Sequence, residues 1–230
     1  MKLRAMLSFL CALSCVLACG EGSGAADDDL MRDAGSTDAG PFDAIARPLT
    51  TAERTRMTGV SWRPECPVSL DDLTLLDVPH YGFDGAIHRG RVVVAKRLST
   101  AFLTAFKAMY VARFRIEKMR LVDEYGADDD ASMADNNTSA FNCRKSTGGT
   151  SWSQHTYGNA IDINPVQNPY VKGATVLPPA GAPFRTRDGS KPGVIVKGDA
   201  VVKAFDALGW GWGGRWTSFQ DYQHFSENGR

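Results

Sequence analysis

"SQHTYGNAIDIN", residues 153–164, sets a histidine, His155, and an aspartate, Asp162, seven positions apart with Gly158 between them. The stretch otherwise has the apolar density of a buried strand. Seven steps along a regular strand, whose side chains alternate, would turn the two groups to opposite faces. They meet only if the strand breaks, and Gly158-Asn159 supplies a break. From Ala160 to Ile163 the strand pattern resumes, with Ile161 and Ile163 facing the core and Asp162 facing the other way. A carboxylate in such surroundings needs a cation or several donors to offset its desolvation.

A second cluster closes the chain. In "DYQHF", residues 221–225, Asp221 stands three residues before His224. Two histidines and an aspartate make three protein ligands, which leaves the fourth position of a tetrahedral zinc for water, as in a catalytic rather than a structural site. Asp221 is then the acceptor for that water's proton, a partner that orients His224, or a plain surface aspartate. The remaining histidines, His80 and His88, have no partner at a recognisable ligand spacing and read as ordinary strand or surface residues.

In order, "SQHTYGNAIDI" and "DYQHF" match the S-x-H-x-x-G-x-A-x-D-[IL] and [ED]-x-x-H-[FW] signatures. The chain thus resembles the zinc D-alanyl-D-alanine carboxypeptidase and L-alanyl-D-glutamate endopeptidase family, related in fold to the zinc-binding domain of hedgehog proteins. The resemblance implies one zinc ion on His155, Asp162 and His224, and a catalytic carboxylate at Asp221. It also sets Arg144, at the end of "SAFNCR" (139–144), where the family carries an arginine that polarises the scissile carbonyl. The spacing departs from the family there, with two residues between Phe141 and Arg144 and ten between Arg144 and His155, and a surface salt-bridge arginine is the other reading. Ser153 matches the signature serine, which either bonds substrate or shapes the turn. The implied activity is hydrolysis of peptide bonds in peptidoglycan stem peptides. The alternative is a non-catalytic, zinc-dependent peptidoglycan-binding module. Removal of a terminal D-alanine and cleavage of an L-Ala-D-Glu bond remain open, and the choice is expected to rest with the loop 165–198.

Around these motifs the pattern is mixed. Residues 74–95 read as two strands joined near Asp84-Gly85, and residues 99–114 as a helix capped by Ser99. "RIEKMRLV" (115–122) and "SAFNCR" read as short strands, with a polar, acid-rich loop between them whose acids lack the ordered positions of a calcium loop. Residues 164–198, rich in proline and glycine, read as an irregular excursion, and 200–208 as a helix capped by Asp199 and stopped by Gly209. Without a regular strand-helix alternation, the expected class is α+β, an antiparallel sheet with flanking helices, of the hedgehog/D,D-peptidase type.

At the other end, Lys2 and Arg4 precede an apolar run, Met6 to Ala18, that is too short to span a bilayer and has the layout of an export signal. "VLACG" resembles the lipobox of bacterial lipoproteins, which implies cleavage after residue 18 and acylation of Cys19. A plain signal peptide with a spare cysteine is the other reading. Residues 19–58, rich in Gly, Ala and Asp, are expected to form a flexible tether, leaving 59–230 as the peptidase domain. The expected location is the cell envelope, at the outer membrane facing the periplasm, with the lipid anchor as the only membrane contact and the protein a monomer. In that oxidising compartment Cys66 and Cys143 either pair or persist as two buried thiols, and pairing is the expectation. With 26 basic and 26 acidic side chains the chain has no cationic surplus, which argues against a nucleic-acid partner.

Overall fold

The computed structural model describes residues 40–230. The signal segment 1–18, the candidate lipid site Cys19 and the first part of the tether lie outside the described residues. Among the described residues no helix is long and apolar enough to cross a membrane.

The fold starts earlier than composition suggested. Residues assigned to the tether form strand β1 (Ile45–Pro48) and helix α1 (Thr51–Met57). Thr50 and Glu53 make a reciprocal capping box at the start of α1, and Glu53 also receives two hydrogen bonds from Arg47, at 2.7 and 2.8 Å. Leu49 and Met57 are thereby buried, and apolar burial rather than composition decides the boundary.

β1 pairs antiparallel with β2 (Leu73–Tyr81), which pairs with β3 (Ile87–Ala95) in the expected hairpin, turning through Gly85 at φ +88°. Helix α2 (Ser99–Val111) lays Phe102, Ala105, Phe106 and Met109 on this sheet. Ser99 is the first helical residue and not its cap: Leu98 holds the cap position, and the Ser99 hydroxyl donates to the Lys96 carbonyl. Residues 115–122 form no regular strand; single bridges tie Arg115 to Tyr81 and Lys118 to Asn137. The acid-rich segment carries a short helix, α3 (Asp129–Ala134), where a loop was expected. "SAFNCR" is likewise no regular strand: Ser139 bridges Asp162, Phe141 N–H donates to Val93 and Cys143 N–H to Ser61. These stretches are extended but find partners at single points, and side-chain periodicity does not reveal that difference.

The rest of the chain builds two small sheets. β4 (Ala160–Asp162), β9 (His224–Ser226) and β7 (Gly211–Trp212) stand in the order β4-β9-β7. The excursion after Asn164 contains β5 (Tyr170–Lys172) and β6 (Thr175–Leu177), and β5 also pairs with β8 (Gln220–Asp221). Helix α4 (Ala200–Asp206) is capped by Asp199, whose carboxylate accepts from Val202 N–H, and it packs on α2. One core runs from the hairpin through α2 and α4 to Ile161, Ile163, Trp212 and Phe225. A second lies under the N-terminal segment, where Cys66 and Cys143 form a disulfide across 77 residues. The mixture of helices and antiparallel sheets is the α+β class that the motif pattern predicts.

Candidate functional site

Each functional side chain is placed by a local feature of the backbone. The Ser153 hydroxyl accepts from His155 N–H and opens a 3-10 turn, Gln154–Tyr157, that carries His155. Gly158 ends that turn at φ +64°, and a Cβ there would lie 2.4 Å from the Ala95 nitrogen, so only glycine fits. The predicted break is real, and Asp162 follows it at the end of β4. Antiparallel pairing of β4 with β9 then sets Asp162 directly opposite His224.

The three groups converge. Asp162 Oδ2 lies 3.1 Å from His155 Nε2, Asp162 Oδ1 2.9 Å from His224 Nδ1, and the two ring nitrogens 3.3 Å apart. His155 Nδ1 lies 2.6 Å from the Ala140 carbonyl and His224 Nε2 3.0 Å from the Arg230 main-chain oxygen. Each ring therefore donates its N–H outward to an oxygen, the usual arrangement behind metal-binding histidines. The nitrogens left facing Asp162 are both acceptors, and two lone pairs against a carboxylate require a positive charge among them. Ligand atoms about 2.0–2.1 Å from a tetrahedral zinc stand about 3.3 Å apart, close to the separations here. His155, Asp162 and His224 thus fit a single metal ion, and all three are buried.

The electrostatics point the same way. Burial opposes a charge on His224, but the hydrogen bond and charge of Asp162, with Asp221 beside them, raise its pKa to about 9. Burial likewise works against the Asp162 carboxylate, yet His155 and His224 hold its pKa well below the usual range. The cluster is built to keep one positive charge. Asp221 lies on β8 with its Oδ1 buried and free of any hydrogen-bond partner among the described residues. Burial and then the Asp162 charge push its carboxyl up to about 6. The converging set of ligand atoms is His155, Asp162 and His224, and Asp221 is not part of it.

These residues line one wall of a cleft of about 450 Å³. Arg144 and Ser153 line the same cleft, so all six sequence-selected site residues come together. Arg144 enters from the loop end of "SAFNCR": it donates from Nη1 to the Lys145 carbonyl, its Nη2 lies 2.9 Å from Asp129 Oδ2, and its Nε is buried without a partner. Tyr170 and Trp216, which also line the cleft, each pack against Phe219, and the Trp216 ring lies tilted against His224, 5.6 Å between centroids. Those aromatics and Asp129 were not selected from sequence. Trp216 and Phe219 had a signal in their closeness to "DYQHF", whereas Asp129 is one of three consecutive aspartates with nothing to single it out. His80 and His88 stay outside the site, in the hairpin.

A buried set of ligands able to hold a metal ion, with a free carboxylate beside it in an open cleft, is the equipment of a hydrolase. Residues 147–227 match the model of the family described as D-alanyl-D-alanine carboxypeptidase, so this part of the chain is similar to that peptidase family. The matched span contains Ser153, His155, Asp162, Asp221 and His224, while Arg144 precedes it. No curated protein and no solved structure matches the chain.

Proposed function

We propose that the chain is a zinc peptidase that hydrolyses peptide bonds in peptidoglycan stem peptides. The observation that carries this reading is the convergence of His155, Asp162 and His224 next to a buried carboxylate, Asp221, whose Oδ1 has no other partner. A zinc ion held by the three ligands would polarise the scissile carbonyl and lower the pKa of a water towards neutrality. Asp221 takes a proton at Oδ1 as the water oxygen bonds to the carbonyl carbon. It returns that proton to the departing nitrogen as the C–N bond breaks. A raised carboxyl pKa suits both steps. Arg144 directs its unused N–H groups at the developing oxyanion, and Ser153 orders the turn that carries His155.

The export signal, the lipobox-like "VLACG" and the Cys66–Cys143 disulfide support an oxidising envelope location with anchorage through Cys19. We place the chain at the outer membrane, facing the periplasm, as a monomer. Incubation of the zinc-loaded protein with defined pentapeptide stems, followed by mass spectrometry, tests the activity. Free alanine identifies a carboxypeptidase and an L-alanine-ended fragment an endopeptidase. Tight binding of intact stems with no product would overturn the peptidase reading in favour of a binding module.

A further inference from the structure

The acid run Asp128-Asp129-Asp130 begins α3, yet its members have different surroundings. Asp128 is the helix cap, its carboxylate accepting from Ala131 N–H, and Asp130 is exposed. Capping therefore does not need Asp129. Its side chain turns inward instead, about a fifth exposed, with Oδ2 2.9 Å from Arg144 Nη2, and the Arg144 side chain is about a fifth exposed as well. Asp129 does not itself line the cleft, whereas Arg144 does. The guanidinium is thus gripped from behind. A second contact, Nη1 to the Lys145 carbonyl, fixes its plane, and the buried Nε–H is left without an acceptor. A buried donor left unpaired is costly unless a ligand completes it.

We propose that Asp129 is a positioning residue that holds the Arg144 guanidinium at the cleft wall, so that its free N–H edge meets the substrate oxygen. The inference rests on the stem-peptide reading for its consequence, but not for its geometry. An arginine head on a long flexible stem stays in place only when its far side is held, and misplacement by about 1 Å costs on the order of a hundredfold in rate. Asp129 acts on Arg144 through a monodentate contact, which leaves the other donors free. Both side chains are about four-fifths buried, so salt screens the contact less than it would a surface pair.

The test compares zinc-loaded wild type, Asp129→Asn, Arg144→Ala and the double variant on a pentapeptide stem. Asp129→Asn is expected to lower kcat about tenfold to a hundredfold with little change in KM, zinc content or Tm. In the Arg144→Ala background the same change should cost nothing further, because the two residues act as one unit. An equal loss in both backgrounds, or full activity of Asp129→Asn beside an impaired Arg144→Ala, overturns the proposal. Side-chain 15N relaxation of the Arg144 Nε–H, assigned by its loss in Arg144→Ala, gives a readout independent of turnover. The signal should be rigid in wild type and mobile in Asp129→Asn, and equal mobility in both overturns the positioning role. If wild type cleaves no stem, the peptidase reading fails and the relaxation measurement still decides the role of Asp129.

Discussion

Asp162 and His224 lie directly opposite one another on β4 and β9, with Asp162 Oδ1 2.9 Å from His224 Nδ1. Cross-strand pairing is the closest contact a sheet offers between residues distant in sequence, and here it joins positions 62 apart. Two of the three ligands are thus fixed by main-chain register. Only His155 depends on a turn. Asp162→Ala removes the one carboxylate that faces both rings, so its cost in zinc affinity should exceed the tenfold to hundredfold typical of outer-shell changes. Metal content after dialysis against a weak chelator checks this, and retention of zinc at the wild-type level would exclude Asp162 as a ligand.

Gly158→Ala should damage both stability and the site. Its φ of +64° costs a side chain about 1 kcal/mol or more, and the new Cβ would press on the Ala95 nitrogen at 2.4 Å. Gly126 has the same φ but nothing within 4 Å, so Gly126→Ala isolates the backbone cost. Gly158→Ala is expected to be the more destabilising by about 1–3 kcal/mol in denaturant unfolding and to weaken zinc binding through His155. Equal effects in the two variants would show that the Gly158–Ala95 approach is not constraining.

The contrast between those glycines shows what the sequence disclosed. Gly158 was legible as a break because His155 and Asp162 could not otherwise share a face. The helices at 99–111 and 200–206 were legible from their apolar spacing, and the hairpin from its turn. Residues 45–57 were misread because composition averages over a segment, while two residues, Leu49 and Met57, bury it. The threonine-to-glutamate spacing of Thr50 and Glu53 was the available signal for a capping box. Asp129 was illegible for a different reason: three adjacent aspartates are equivalent until the fold turns one inward. The orienting acceptors of the two histidines are main-chain oxygens, at Ala140 and Arg230, and no side-chain pattern encodes them.

Glu53 gives the N-terminal segment a pH dependence. Its hydrogen bonds with Arg47, then those from Thr50, outweigh burial and lower its pKa to about 2 from the ordinary 4.5. A carboxyl with a depressed folded pKa contributes stability that is complete above the unfolded value, near 4.5, and disappears as pH falls towards 2. Glu53→Gln should therefore cost about 1 kcal/mol at pH 7, the usual scale for a capping interaction. The gap between variant and wild type should close between pH 4.5 and pH 2. Urea unfolding of both proteins across that range checks it, and a gap independent of pH would assign the loss to packing rather than charge.

Asp221 and His224 sit on consecutive short strands, yet their variants should separate cleanly. His224 offers Nδ1 to the ligand cluster, so His224→Ala is expected to lose zinc and turnover together. Asp221 stands beside the cluster with Oδ1 unbonded and outside the set of converging ligand atoms. Asp221→Asn preserves the shape of the side chain and removes only its basicity. It should keep zinc at the wild-type level while kcat falls about 10²–10⁴-fold, the range for loss of a general base. KM should move little, because the carboxylate works in the transition state rather than in binding. The comparison needs two numbers for each protein, bound zinc per chain and kcat on one stem peptide. Loss of zinc in Asp221→Asn equal to that in His224→Ala would make Asp221 a fourth ligand, and the site would then be closed and structural instead of open and catalytic.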